Sequence, residues 1–422
     1  TYEVEIKELG YRPQPFAIAD ALMYADGKPV VEIRNMSVQL TGLTRERVEA
    51  LWDAAAAPAR PVPLFDENSI LAFAIGKPSE AFGEPYRVFD EERIIARLPG
   101  PPYQFLDRVT EIRAEPWKMV AGGDIVAEYD IPPDAWYFAA NRQEEMPFAI
   151  LLEIALQPCG WLAAYLGSAL TSDADLSFRN LGGNAVLHAP VTSRSGTLAT
   201  NVKITAVSSS GGMIIQKYQF SVSSTSGPVY SGDTYFGYFS KTALAEQVGL
   251  RDARLHQPDD AEQAAAASFA FPSNAPFPDE SLRMLDRIDA LTLTGGPHGA
   301  GFVRGSKDVR ADEWFFAAHF FQDPVWPGSL GLEAFLQLLK VFAAERWGTE
   351  DASRLGFATI TPGENHHWEY RGQVLPSDRH VTVEASIREV DDRKRQIRAD
   401  GFLTVDGRII YQMSDFCARL GR

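Results

Sequence analysis

The stretch AAHFFQDPVWPGSLGLEAFLQLL, residues 317–339, brings three kinds of chemically useful group close together in the chain. His319 can exchange protons near neutral pH. Pro327 and Gly328 mark a helix start. Proline is tolerated where its missing N–H would have no helical partner, and glycine lets another group approach the free donors of the first turn. Those donors and the positive helix end form an anion site. Glu333 and Gln337, four residues apart, share one face of the helix that follows. An acid/base, a carboxyl group and an oxyanion-binding helix end suit proton abstraction alpha to a thioester carbonyl. Each feature also has a plainer reading: a core histidine among aromatics, a wet helix face, a loop-to-helix turn.

Upstream, AANRQEEMPFAILLEIALQPCGWLAAYL (139–166) repeats the pattern with changes. Glu153 and Gln157 occupy the carboxyl and amide positions, but Asn141 stands where the histidine would be and Phe148 replaces the glycine. An amide cannot accept a proton near neutral pH, so this copy has no complete site of its own.

The elements that must position these residues are also repeated. PPYQFLDRV (101–109) matches PDESLRMLDRI (278–288), and each precedes a strand-like stretch and then Trp136 or Trp314. Hairpin patterns with alternating apolar residues surround Asp26-Gly27, Ser226-Gly227 and Asp406-Gly407. The expected organisation is the strand-rich tail of an upstream repeat plus linker over 1–80, a first unit over 81–245, a linker over 246–270 and a second unit over 271–422. Residues 53–63 and 251–278, rich in Ala and Pro, lack strand alternation, and the Ala run in each suits a short helix. Each full unit contains a long helix, 147–168 or 328–347, apolar on nearly every side and therefore surrounded. An antiparallel sheet curled around one central helix satisfies this, giving an α+β class of tandem hot dog folds packed as a double hot dog.

Composition narrows the function. Of 422 residues, 45% are hydrophobic and 23% charged, as in a soluble globular protein of two or three domains. A formal net charge of −16 argues against nucleic acid and against anionic lipid. Residues 146–170 are long and apolar enough to span a membrane, but Glu153, Gln157 and Pro158 within them indicate a helix buried inside the fold. Cys159 and Cys417 lie in apolar surroundings and read as buried thiols in a reducing compartment. The chain opens TYEVEIKELG, without Met or a signal-peptide pattern, and is expected to be part of something longer.

The segment from His319 to Gln337 resembles the helix motif of bacterial 3-hydroxydecanoyl-carrier-protein dehydratases. The resemblance continues through RGQVLPSD (371–378) and ADGFLTVDGRIIYQMSD (399–415), covering most of 271–422. With the degenerate first copy, the arrangement resembles the tandem dehydratase region of polyunsaturated fatty acid synthases, which are cytoplasmic multienzymes served by a tethered acyl carrier protein. The resemblance implies His319 as the catalytic base and Gly328 as backbone donor to the thioester oxygen. It puts Glu333, 14 positions after the histidine, at the acidic position. Gln337 and Gln157 follow the acids, and Leu332 and Leu336 would line or support the acyl tunnel. Neither a metal nor an organic cofactor is implied. The expected partners are a carrier protein bearing the 3-hydroxyacyl group and other synthase domains.

In that family each site takes its histidine from one hot dog and its acid from another. If the two units of this chain pair, His319 meets Glu153, although the first-copy spacing is 12 rather than 14. If the second unit pairs with a copy from another chain as a homodimer, His319 meets Glu333. Double-bond isomerisation by the same histidine is left open, as are two rival functions, a hot dog acyl thioesterase and a non-catalytic docking module. His188, the His366-His367 pair and the glycines of 295–301 are read as structural rather than as catalytic, metal-binding or nucleotide-binding groups.

Overall fold

The computed structural model describes residues 1–11, 14–48, 62–210 and 212–421. Most of the expected Ala-Pro linker over 53–63 lies outside the described residues. The chain divides into two compact units, Thr1–Val62 and Pro63–Arg422.

The first unit holds three antiparallel strands, β1 (Tyr2–Gly10), β2 (Phe16–Ala25) and β3 (Lys28–Gln39). Asp26 and Gly27, with φ of 49° and 72°, form the tight turn between β2 and β3, as the Asp-Gly pair predicts.

The second unit contains two copies of one topology. The first copy has β4 (Arg108–Arg113), β5 (Asp124–Asp130), β6 (Ser177–Leu187), β7 (Thr197–Ser210), β8 (Met213–Ser224) and β9 (Gly227–Phe239). The second has β11 (Arg287–Thr292), β12 (Phe302–Asp308), β13 (Asn365–Tyr370), β14 (His380–Asp391), β15 (Gln396–Val405) and β16 (Arg408–Arg419), with β10 (Ala267–Ala270) added at its edge. From the outer edge inward the orders are β4-β5-β7-β8-β9-β6 and β11-β12-β14-β15-β16-β13. The two inner strands, β6 and β13, pair antiparallel with Asn365 opposite Val186, making one continuous thirteen-stranded sheet. This is a double hot dog.

One apolar helix fills each repeat, Phe148–Tyr165 in the first and Gly328–Trp347 in the second. Each packs on the strands of its own repeat, and the two helices pack on one another. Leu332, Phe335, Leu336 and Leu339 are fully buried, each contributing about 1.5–3 kcal/mol. Phe148–Tyr165 has the length and apolarity to cross a membrane, but 89% of that window is inside the fold. Pro158 cannot donate to the carbonyl of Ile154 one turn back, and the hydroxyl of Thr200 on β7 donates to that oxygen instead, at 3.2 Å.

Two expectations are corrected. The β8–β9 turn sits on Thr225-Ser226, with Gly227 already paired to Ser224, one residue before the expected Ser226-Gly227. The boundary near residue 80 cuts a segment the fold keeps together. Residues 67–91 form short helices whose Phe73 and Phe82 pack against Trp161 of the first central helix, at ring separations of 5.8 and 4.7 Å. Helical packing of isolated aromatics carries no strand-like alternation, which is why the sequence pattern there reads as linker. The other expected linker, 246–270, contains the short helix Asp260–Ala265 and strand β10.

Candidate active site

Two helix ends and the middle of a third helix converge on one cavity of about 110 Å³. The short helix Trp314–Ala318 ends at His319, whose N–H returns to the carbonyl of Phe315 at 2.9 Å. The chain then loops through Phe320 to Trp326 and starts the second central helix at Gly328. The middle of the first central helix supplies the opposite wall. His319, Gly328, Glu153 and Gln157 all line this cavity, so the histidine of the second repeat faces the carboxyl group of the first.

The imidazole is buried and its Nδ1 lies 3.2 Å from the carbonyl oxygen of Val325. A carbonyl only accepts, so Nδ1 carries the hydrogen and Nε2 keeps its lone pair. Burial pulls the imidazole down to about 3, leaving the ring neutral at pH 7.

Glu153 is also buried. Ser329, next to Gly328 in the first turn of the second helix, donates to Oε1 at 2.6 Å, and Gln157 Nε2 donates to Oε2 at 3.0 Å. Burial pushes the carboxyl above its ordinary range, and these two hydrogen bonds pull it part of the way back. Gln157 is fixed in turn by the N–H of Phe105 and the carbonyl of Tyr103, at 2.8 and 2.9 Å. The Tyr103 hydroxyl lies 2.9 Å from Ser329 Oγ.

At Gly328 the missing side chain lets Tyr370 approach the helix start closely. A Cβ there would come within 2.9–3.1 Å of the Tyr370 ring and hydroxyl. That hydroxyl is buried on the cavity wall with no hydrogen-bond partner among the described residues.

The pseudo-twofold counterpart is closed. Glu333 is fully buried outside the cavity, accepting from Lys340 Nζ at 3.2 Å and from the N–H of Ala149 at 3.3 Å. Asn141 Nδ2 donates to the carbonyl of Glu145 at 3.1 Å, holding a shorter version of the loop that His319 holds through Val325. Phe148 packs among Tyr230, His366 and Phe416. Gln337 repeats the role of Gln157, bonded to Met284 N and Leu282 O at 3.0 and 2.9 Å.

The structure thus brings His319, Glu153, Gln157 and Gly328 together and leaves Glu333, Gln337, Leu332 and Leu336 elsewhere. Leu152 and Leu156, the counterparts of Leu332 and Leu336, are on the cavity wall instead, with Leu98 and Leu181. Glu333 is turned toward Ala149 at the start of the first helix, as Glu153 is turned toward Ser329 at the start of the second. Sequence reasoning missed Ser329, Tyr103, Tyr370 and Arg179, the last on β6 and also lining the cavity. Ser329 and Tyr103 sit inside stretches already marked as repeated, which was the available signal.

Of the residues set aside as structural, His366 and His367 lie on β13. His366 Nε2 meets the Tyr230 hydroxyl at 2.8 Å and His367 Nδ1 meets Asn184 Oδ1 at 2.9 Å. His188 is exposed beside Ser231, and residues 295–301 connect β11 to β12.

A family model described as the FabA-like domain matches residues 98–232 and 277–414. A polyunsaturated fatty acid synthase polypeptide of Thraustochytrium sp. is 33% identical over 384 residues, covering 82% of this chain and 25% of that protein. The chain therefore spans about a quarter of the length of that curated relative. Among solved structures, the dehydratase domain from the CurJ module of the curacin polyketide synthase is 14% identical, covering 74% of this chain and 95% of that one at a TM-score of 0.38. A chain described as an oleoyl thioesterase from Lactobacillus plantarum is 12% identical, covering 72% and 98% at a TM-score of 0.40.

Proposed function

The chain belongs to the FabA-like family, with two tandem copies of its domain, and on that premise we propose that it dehydrates 3-hydroxyacyl thioesters on an acyl carrier protein to trans-2-enoyl thioesters. The observation that carries the reading is that His319 and Glu153 line one cavity together with the helix start at Gly328. One working site per chain is assembled from both repeats, with no residue needed from a second copy.

In this mechanism the thioester oxygen sits at the Gly328 N–H and the positive helix end, where enolate charge develops. His319 Nε2 removes a proton from C2. The C2–H electron pair becomes the C2–C3 double bond as the C3–O bond breaks, and protonated Glu153 gives its proton to the departing hydroxyl, which leaves as water. Return of the proton from His319 to Glu153 restores the site. The upward shift of Glu153 by burial and the neutral His319 both support these acid and base roles. The buried hydroxyl of Tyr370 is a further donor within reach of the same end of the cavity.

The substrate is delivered by a carrier protein alongside other domains of a polyunsaturated fatty acid or polyketide synthase in the cytoplasm. The test is incubation of the purified chain with a 3-hydroxyacyl carrier protein or a pantetheine thioester. Enoyl product that disappears in His319→Ala supports dehydration. Release of free acid and thiol would show hydrolysis instead and overturn the reading.

A further inference from the structure

We propose that Arg179 is a positioning residue for His319, holding the histidine-bearing loop of the second repeat from a strand of the first. Arg179 lies on β6, at the seam where the two repeats share their sheet. Its Nη2 reaches both carboxylate oxygens of Asp323, at 2.9 and 2.8 Å. Nε donates to Gln373 Oε1 at 2.8 Å and Nη1 to the carbonyl of Phe178 at 3.1 Å. The guanidinium also lies over the Phe320 ring, 5.9 Å from its centre. The planar fork is thereby fixed on three sides and presents Nη2 to both oxygens of Asp323.

Asp323 sits in the middle of the loop that shapes His319. Its N–H closes a turn on Phe320 at 3.1 Å, and two residues later Val325 accepts from the imidazole and donates its own N–H to the His319 carbonyl at 2.8 Å. Gripping Asp323 therefore fixes the carbonyl that selects the imidazole tautomer. With side-chain exposures of 11% and 20%, the pair is shielded enough to hold one geometry rather than dissolve into solvent.

The clamp is absent from the silent side. β6 and β13 occupy the same place in their repeats, and loops of equal length lead from them to β7 and β14. By that register the counterpart of Arg179 is Pro362, which has no charge to offer the Asn141 loop. The ion pair and the histidine occur together, on one side only, and the first repeat supplies both the carboxyl group and the clamp.

This inference rests on the dehydratase reading for its activity arm, so the experiment carries a second readout that does not need turnover. Arg179→Met, Asp323→Asn and the double variant are compared for kcat and KM on a 3-hydroxyacyl thioester. His319 carbethoxylation by diethyl pyrocarbonate is followed by mass spectrometry on the same folded samples. Each single variant is expected to lose about 100-fold in kcat, the cost of a misplaced catalytic group, with KM little changed. The double variant should be no worse than the weaker single, and His319 labelling should accelerate severalfold in all three. Arg179→Lys, which keeps the charge but not the fork, should fall between. Single effects that multiply in the double variant would overturn the clamp, as would unchanged labelling or a rise in KM alone, which would make Arg179 a substrate contact. Wild-type protein that labels as expected but never dehydrates would sink the dehydratase reading and leave the clamp standing.

Discussion

The hydroxyl of Ser329 donates to Glu153 Oε1 across 2.6 Å, joining residues 176 positions apart. The acid of the first repeat is thus held by the first turn of the second repeat's helix, the turn that also offers the Gly328 N–H. Removing the hydroxyl in Ser329→Ala takes away a bond that favours the charged carboxylate. The carboxyl should therefore rise further and stay protonated to higher pH. The basic limb of the rate profile should move upward while kcat falls about tenfold or more, the scale of a lost hydrogen bond to a charged group. A pH–rate profile of the variant checks this; a basic limb that moves downward would contradict the assignment.

The two glutamates should separate cleanly. Glu153→Gln keeps the shape and removes the proton donor, so dehydration should drop about 100-fold or more. Glu333→Gln leaves the cavity intact but strands the buried Lys340 ammonium, 3.2 Å from the lost charge. Breaking a buried pair typically costs about 3–5 kcal/mol, so this variant should unfold at clearly lower temperature. Adding Lys340→Met should recover much of the loss. Thermal melts and turnover on the same samples distinguish the two, and an inactive but fully stable Glu333→Gln would reverse the pairing.

The fold was legible because its signals are periodic and doubled. Two apolar helices and repeated hairpins imply a sheet wrapped on helices, and the second helix occupies Gly328–Trp347 as its Pro-Gly start predicts. That His319, Gly328 and Glu153 are candidates was legible from their residue types and from the family resemblance, although the first-copy spacing of 12 departs from the second-copy 14. Which glutamate faces the histidine was not, because it depends on how β6 meets β13 and no local pattern encodes that register. The same holds for Arg179, Ser329 and Tyr103, whose partners lie 144, 176 and 226 positions away. The boundary at residue 80 was misplaced because the aromatics on either side of it, Phe73 and Phe82, gain meaning only against Trp161.

Two buried imidazoles should lower stability on the acid side. Burial pulls His319 and His366 each from 6.5 down to about 3. Between those values the unfolded chain binds protons that the folded chain refuses, so stability should fall as pH drops from 6.5 toward 3. Glu153 acts with the opposite sign. Its carboxyl lies above 4.5 in the fold, so the folded chain keeps a proton that the unfolded chain releases, and stability declines as pH rises above that value. Melting temperatures across pH should show His366→Phe flattening the acid side and Glu153→Gln flattening the other. A His366→Phe curve parallel to wild type would remove the histidine from the explanation.

Gly160 offers a test in which stability and activity move apart. It lies inside the first central helix and on the cavity wall, and a Cβ there would meet Leu98 Cδ2 at 2.9 Å and Phe178 at 3.8 Å. The nearer atom is the end of a side chain, so it can give way toward the cavity. Alanine in place of a helical glycine is favourable by about 0.5–1 kcal/mol, so Gly160→Ala should melt no lower than wild type. The added methyl and displaced Leu98 would narrow a space of only about 110 Å³. One methylene in an apolar pocket is worth about 10- to 200-fold in selectivity, so kcat/KM should fall steeply for longer acyl chains and little for the shortest. Equal loss across chain lengths would mean that this wall does not border the acyl chain.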